Sequence, residues 1–356
     1  MKKLYFLVFI IFFLQACQTL PNQEEIVKNF QNFSIPKSDP YPTDHQLKTN
    51  LRTIVIANVN TNELGTTSKA FLKGVGSDLN SIMKTTIEKH LSEIGARIYD
   101  VNDRQQKELV DASKRNEMLS TESASGQIEL IDYVIIPKLA SLDTSVLYNE
   151  KKSIYEIISR SEPSPKCIHE VKLSGTLRIY NGKTKQVDES IYIKASSTDI
   201  KEEPKNRICI MDNNVLNRLI QKVAEDAINF NKTKLMNAIS PTAFIKQMKK
   251  RNDSKQYVVK ITCGDKCGIR NNFNININKY QPLEIVGDSL GSGRVTYWIE
   301  NDYAWVLLNN SKDLPQKIEE GAVVQIEYQK TMAEHLMSFY YYIKDCLNIF
   351  RRSNFY

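Results

Sequence analysis

The stretch LRIYNGKTKQV, residues 177–187, decides the fold. Leu177 and Ile179 alternate with Arg178 and Tyr180, then Asn181-Gly182-Lys183-Thr184 interrupts. Alternation of period two buries one face of a strand, and Asn-Gly accepts the positive φ that tight hairpin turns demand. The pattern extends both ways. Residues 169–180 carry Val171 and Leu173 on the same parity as Leu177, and residues 185–196 carry Val187, Ile191 and Ile193. Two strands in a hairpin are the expectation.

Working outward, ELIDYVIIPKLAS at 129–141 reads as a strand buried in its middle, and TIVIANV at 53–59 as another. Between them, Leu79, Ile82, Met83, Thr86, Ile87, His90, Leu91 and Ile94 recur at helical spacing, from an N-cap at Ser77 to a stop at Gly95. A short strand over 97–101 and a polar helix over 103–118 follow. Asn213 or Asn214 caps a closing helix whose inward residues are Leu216, Leu219, Ile220, Val223, Ala224, Ala227, Ile228 and, beyond it, Leu235. The order β-α-β-α-β-β-β-α places a mixed sheet flanked by helices over 51–248, an α/β (α+β) unit. Residues 142–166 and 197–212 read as polar excursions from it.

The chain begins MKKLYFLVFIIFFLQAC. Lys2 and Lys3 precede an apolar run over 4–14, too short for a lasting bilayer span and suited to a secretory signal. Removing 16 of the 356 residues leaves 340 and takes the formal charge from +7 to +5. That surplus suits solubility and gives no reason to expect nucleic acid. Residues 17–50 contain Pro21, Pro36, Pro40 and Pro42 without periodicity, and read as a flexible tether that spans tens of Å.

Lys249 to Ser254 reads as a linker. Over 255–330 short apolar runs alternate with turns, the texture of a small all-β barrel-like domain. The last stretch, 331–356, places Met332, Leu336, Phe339, Ile343, Cys346, Leu347 and Phe350 on one helical stripe, widened by Tyr340, Tyr341 and Tyr342. This amphipathic C-terminal helix packs on its own domains, docks a partner or lies on a membrane surface. Phe339, Tyr340, Tyr341, Tyr342 and Phe350 are the candidate partner-binding residues.

Export makes disulfides admissible. Cys263 and Cys267 enclose a turn, and Cys167 and Cys209 flank the hairpin region, which leaves Cys346 alone. Zinc is the alternative use of these thiols, but neither a CxxC repeat nor paired histidines accompany them. His45, His90, His169 and His335 sit in no catalytic spacing, and Gly74-Val75-Gly76 before Ser77 lacks a Walker lysine. The expectation is a protein with no enzymatic activity, no metal and no cofactor.

Two resemblances bear on function. Leu14-Gln15-Ala16-Cys17 resembles the lipobox of bacterial lipoproteins, which implies lipidation at Cys17; Gln18, in place of the aspartate of inner-membrane retention, implies the outer membrane with the body in the periplasm. Residues 50–240, with IVIANV, RIYDVNDR, DYVIIPKL and LRIYNGKTKQV, resemble the CsgG-type domain of curli secretion, LpoB-like, TolB-like and FlgT-like proteins. Gly321 to Ile326 resembles the end of small barrels appended to FlgT-like proteins. The family implies an adaptor or assembly factor for an envelope complex (secretion, surface appendage or peptidoglycan synthase), with a periplasmic or outer-membrane protein partner. Its alternative is an oligomeric curli-type pore subunit, spanning the membrane through 142–166 and 197–212 with Leu142, Thr144, Val146 and Tyr148 facing lipid.

Overall fold

The computed structural model describes residues 20–48, 51–99, 131–149, 165–182, 186–202, 208–281, 287–309 and 314–330. The signal segment, Cys17, the expected helix over 103–118 and the C-terminal stretch 331–356 lie outside them. The chain divides into two compact units, one of residues 1–51 with 240–329 and one of residues 52–239 with 330–356.

The stretch read as a tether is folded. Asn22 accepts the Glu25 N–H at 2.9 Å and caps α1 (Gln23–Asn29), which passes into β1 (Phe30–Phe33); α2 (Asp44–Lys48) follows. Ile26 and Phe30, one helical turn apart, pack with Leu20 against Val258, Trp305 and Leu307, and β1 pairs antiparallel with residues 248–251. Leu47 joins Phe244, Tyr280 and Val323 in a second cluster. Each large apolar side chain buried this way contributes about 1.5–3 kcal/mol. The four prolines therefore punctuate an ordered strap.

The second unit opens with β2 (Thr53–Ile56), α3 (Thr66–Glu93) and β3 (Arg97–Ile98). Leu79, Met83, Ile87, Leu91 and Ile94 are the buried ridge of α3. Its end is a Schellman arrangement: Gly95 takes φ +70°, its N–H bonds the Ser92 carbonyl at 3.0 Å, and Ala96 N–H bonds that of Leu91 at 3.1 Å. The helix begins eleven residues before the expected cap at Ser77, at Thr66. Gly74 and Gly76 thus lie inside it and form no anion-binding turn.

Next come β4 (Tyr133–Asn149), β5 (Lys166–Asn181) and β6 (Val187–Glu202), then α4 (Asn213–Asn229) and α5 (Lys232–Ala238). The strand order is β3-β2-β4-β5-β6, parallel at β3-β2-β4 and antiparallel at β4-β5-β6. Tyr180 pairs with Val187, and Asn181 N–H reaches the Gln186 carbonyl at 2.9 Å, so the Asn-Gly hairpin is where the sequence places it. Asp212, neither Asn213 nor Asn214, caps α4 by accepting the Val215 N–H at 2.8 Å.

The chain then returns to the first unit with β7 (Thr242–Arg251), β8 (Tyr257–Ile261), β9 (Asn274–Asn278), β10 (Ser289–Ile299), β11 (Ala304–Leu308), a short α6 (Leu314–Lys317) and β12 (Val323–Glu327). The expected linker at 249–254 is instead the β7–β8 hairpin, and the barrel unit begins at Ser240. Six strands close in the order β7-β12-β9-β10-β11-β8, all antiparallel, with β1 added beside β7. Val259, Ile261, Ile275, Ile277, Val295, Val306, Val324 and Ile326 are buried in it. Cys263 and Cys267 form a disulfide across the turn after β8, and the buried Tyr328 hydroxyl donates to the Cys267 carbonyl at 2.7 Å. Burial pushes the Tyr328 hydroxyl up, out of the range in which it titrates.

Candidate functional site

Strand β2 stops at Ile56, whereas β4, β5 and β6 run on together for about half their length. The bend lies at Gly175. There the β4–β5 register shifts between Leu139 and Ser141, and a Cβ on Gly175 would come within 2.3 Å of the Lys138 carbonyl oxygen. Beyond the bulge, residues 141–149, 166–174 and 194–202 form a three-stranded extension. Residues 142–149 and 197–202, read from the sequence as parts of polar excursions, are therefore sheet.

The two faces of the extension differ. On one, Cys167, His169, Val171 and Leu173 are buried, with Tyr148, Val146, Thr144 and Leu142 opposite them in register. Of the four β4 residues expected to face lipid, Leu142 is buried there, Tyr148 is half-buried, and Thr144 and Val146 are exposed on the same face. Helix α4 packs on β5 and β6, with Arg218 on Asp199 at 2.8 Å and Lys201 on Asp212 at 3.1 Å. The Val215 N–H and Lys201 hold the Asp212 carboxyl below the usual carboxylate range. Cys167 is joined to Cys209, with Cα atoms 5.6 Å apart, which ties the chain entering α4 to the tip of the central strand.

The opposite face begins at the tip with Leu147, Ile168 and Ile200 side by side across the three strands. Leu147 is 56% exposed and Ile200 59%. Nearer the bend the rows are polar. Glu170 takes a 2.6 Å contact from Lys172, and Ser141 and Ser174 share a 2.7 Å hydrogen bond. Tyr192 on β6 is again exposed. Among the described residues β6 pairs on one side alone, so a 16-residue backbone edge borders this face.

The two histidines whose side chains are described, His90 and His169, are both buried. His90 is buried, with Nε2 2.7 Å from Asn229 Oδ1 and Nδ1 3.4 Å from Glu93. His169 is fully buried, and neither ring nitrogen has a hydrogen-bond partner. Among the described residues no group of three or more His, Cys, Asp or Glu is arranged to hold a metal ion, and no helix is long and apolar enough to cross a membrane. Cys17 and the candidate docking residues Phe339, Tyr340, Tyr341, Tyr342 and Phe350 lie outside the described residues. The sequence reading missed the apolar row because Leu147 lies between Val146 and Tyr148, Ile168 and Ile200 lie close to charged residues, and only strand pairing aligns the three.

No protein-family model and no curated protein matches this chain. Among solved structures, it is similar to a Helicobacter pylori homolog of neuraminyllactose-binding hemagglutinin, at 12% identity over 56% of this chain and 92% of that one, TM-score 0.34. It is also similar to a minor lipoprotein of Acinetobacter baumannii, at 9% identity over 52% and 90%, TM-score 0.25. Lipoprotein GNA1162 of Neisseria meningitidis gives 12% identity over 50% and 99%, TM-score 0.23. TM-scores this low carry no argument about function.

Proposed function

We propose that this chain is a lipid-anchored, non-enzymatic adaptor of the bacterial outer membrane, its body in the periplasm, which holds a protein of an envelope complex. The lipobox-like Leu14 to Cys17 supports the anchor. The observation that carries the adaptor reading is the extension of β4, β5 and β6, where the apolar row Leu147–Ile168–Ile200 adjoins the edge of β6 that is unpaired among the described residues. The occupant is a partner protein that adds a strand to β6 and covers that row. Main-chain pairing supplies affinity in such additions, and side-chain seats supply specificity.

The same geometry weighs against a pore. Its exposed face interrupts the apolar row with Asp143, Glu170 and Lys172, and a lysine at the bilayer midplane costs about 2–4 kcal/mol. The other face carries His169 and Asp199.

Photo-crosslinking from position 200 in intact cells, read against position 297 on the barrel, tests the proposal. One defined adduct from 200, lost in Leu147→Lys, is the expected result. Adducts only between copies of the chain, with a ring-sized mass in detergent, would replace the adaptor with a homo-oligomer. Loss of fatty-acid labelling in Cys17→Ser checks the anchor separately.

A further inference from the structure

The whole sequence has two tryptophans, and the barrel brings them together. Trp298 on β10 stacks on Trp305 of β11, with ring centroids 5.4 Å apart and planes inclined by 25°. Tyr303 meets Trp298 edge-on at 6.3 Å. Two lysines close over the rings. Lys249 of β7 is 5.1 Å from the Trp305 centroid and 6.0 Å from that of Trp298; Lys260 of β8 is 3.6 Å from the centre of Tyr303.

Register explains the gathering. Trp305 pairs with Lys260 and Leu307 with Val258, while Val258 also pairs with Lys249, so these side chains share the outer barrel face. The strap residues Leu20, Ile26 and Phe30 cover one part of that face, and Trp298 and Tyr303 border them, half-buried. Among the described residues neither lysine has a carboxylate partner. Burial, and then the charge of Lys260, pull Lys249 below the ordinary lysine range. A third donor of the stack, the Trp305 indole N–H, is buried without an acceptor.

Two neighbouring cations on an aromatic wall, neither of them paired with a carboxylate among the described residues, form half of a recognition site. A ring quadrupole offsets about 0.5–2 kcal/mol per cation, which leaves the repulsion between the two lysines in place. An anionic group seated between them would remove it through charge-assisted hydrogen bonds. The rim defines the rest of the ligand. Glu300 accepts the Trp298 indole N–H at 3.1 Å, and Asp302 pairs with Lys266. These acids oppose a surface of many negative charges. With the Tyr303 hydroxyl, they offer acceptors to neutral hydroxyl groups.

We propose that the half-buried Trp298 and Tyr303, backed by the buried Trp305, form with Lys249 and Lys260 a binding site for a carboxylate-bearing saccharide. One pyranose face rests on Trp298, the carboxylate lies between the lysines, and ring hydroxyls donate to Glu300. The site is on the barrel, so it stands or falls independently of the partner surface on β6.

Both tryptophans are in the site, so intrinsic fluorescence of the full chain reads it directly. The probes are a glucuronate-containing tetrasaccharide of hyaluronan, its carboxyl-reduced neutral counterpart, and phosphatidylglycerol vesicles. The expected result is a saturable change with the acidic sugar and at least about tenfold weaker response to the neutral one. Lys249→Met with Lys260→Met, which keeps the aliphatic stems over the rings, removes the response without lowering the melting temperature. Tyr297→Ser, on the same strand, leaves it unchanged. Equal response to both sugars, response to vesicles alone, or none to any probe overturns the proposal.

Discussion

Cys167, on β5 at the centre of the three-stranded extension, is bonded to Cys209, 42 residues on in the chain. The other bridge, Cys263 to Cys267, spans 4. On chain-entropy grounds the long closure restrains the unfolded chain by ~4 kcal/mol and the short one by ~2 kcal/mol. Replacing Cys167 and Cys209 together by alanine is therefore expected to lower stability about twice as much as replacing the barrel pair. Urea unfolding of each unit, followed by hydrogen exchange, measures the difference; equal losses would count against the closure argument.

Isoleucine 26 distinguishes a strap from a free tether. It is fully buried against the barrel. Ile26→Ala is expected to cost ~2–4 kcal/mol, the range for truncating a buried aliphatic residue. On a solvated tether the same change would leave the melting curve in place.

His169 invites the opposite experiment. A buried polar group without a partner costs about 1–3 kcal/mol, and a similarly shaped apolar residue relieves that cost. His169→Leu is expected to unfold at higher urea than the parent. A clear loss of stability would show that the imidazole has a partner in the working protein.

Glu93 ties α3 to α5 through Lys232 at 2.6 Å, and within α3 it lies 3.4 Å from His90. Burial pushes its carboxyl up, but Lys232 and His90 outweigh this and hold it below its ordinary 4.5. A depressed folded-state pKa contributes stability that is present above about pH 4.5 and fades as pH falls through the lower folded value. The pair is partly exposed, so the contribution is about 0.2–1 kcal/mol. The deficit of Glu93→Gln relative to the parent should be full at pH 6 and shrink progressively as the pH falls below 4.5, followed by thermal melts across that range.

The legible parts of this fold were those in which local chemistry and tertiary packing agree. Alternation from Val171 to Ile179, the Asn-Gly turn and the Gly95 stop each carry their own structural reason, and the barrel strands carried turns at regular spacing. The strap was not legible because Ile26 and Phe30 are two apolar residues among many polar ones. Their burial depends on a barrel face more than 200 positions away. The outer ends of β4 and β6 were hidden for a related reason: with Asp143 on one and Asp199 and Lys201 on the other, they have the composition of a loop. The lysine–aromatic cluster draws on β7, β8, β10 and β11, and no stretch of sequence shows it.

The strap changes the distance at which an acyl group would hold the barrel. Leu20 already packs against β8 and β11, three residues after Cys17. A fully extended chain gains at most ~3.6 Å per residue, so a lipid on Cys17 leaves about 11 Å of slack. The barrel would ride against the headgroups, with no room to swing out toward distant components of the envelope.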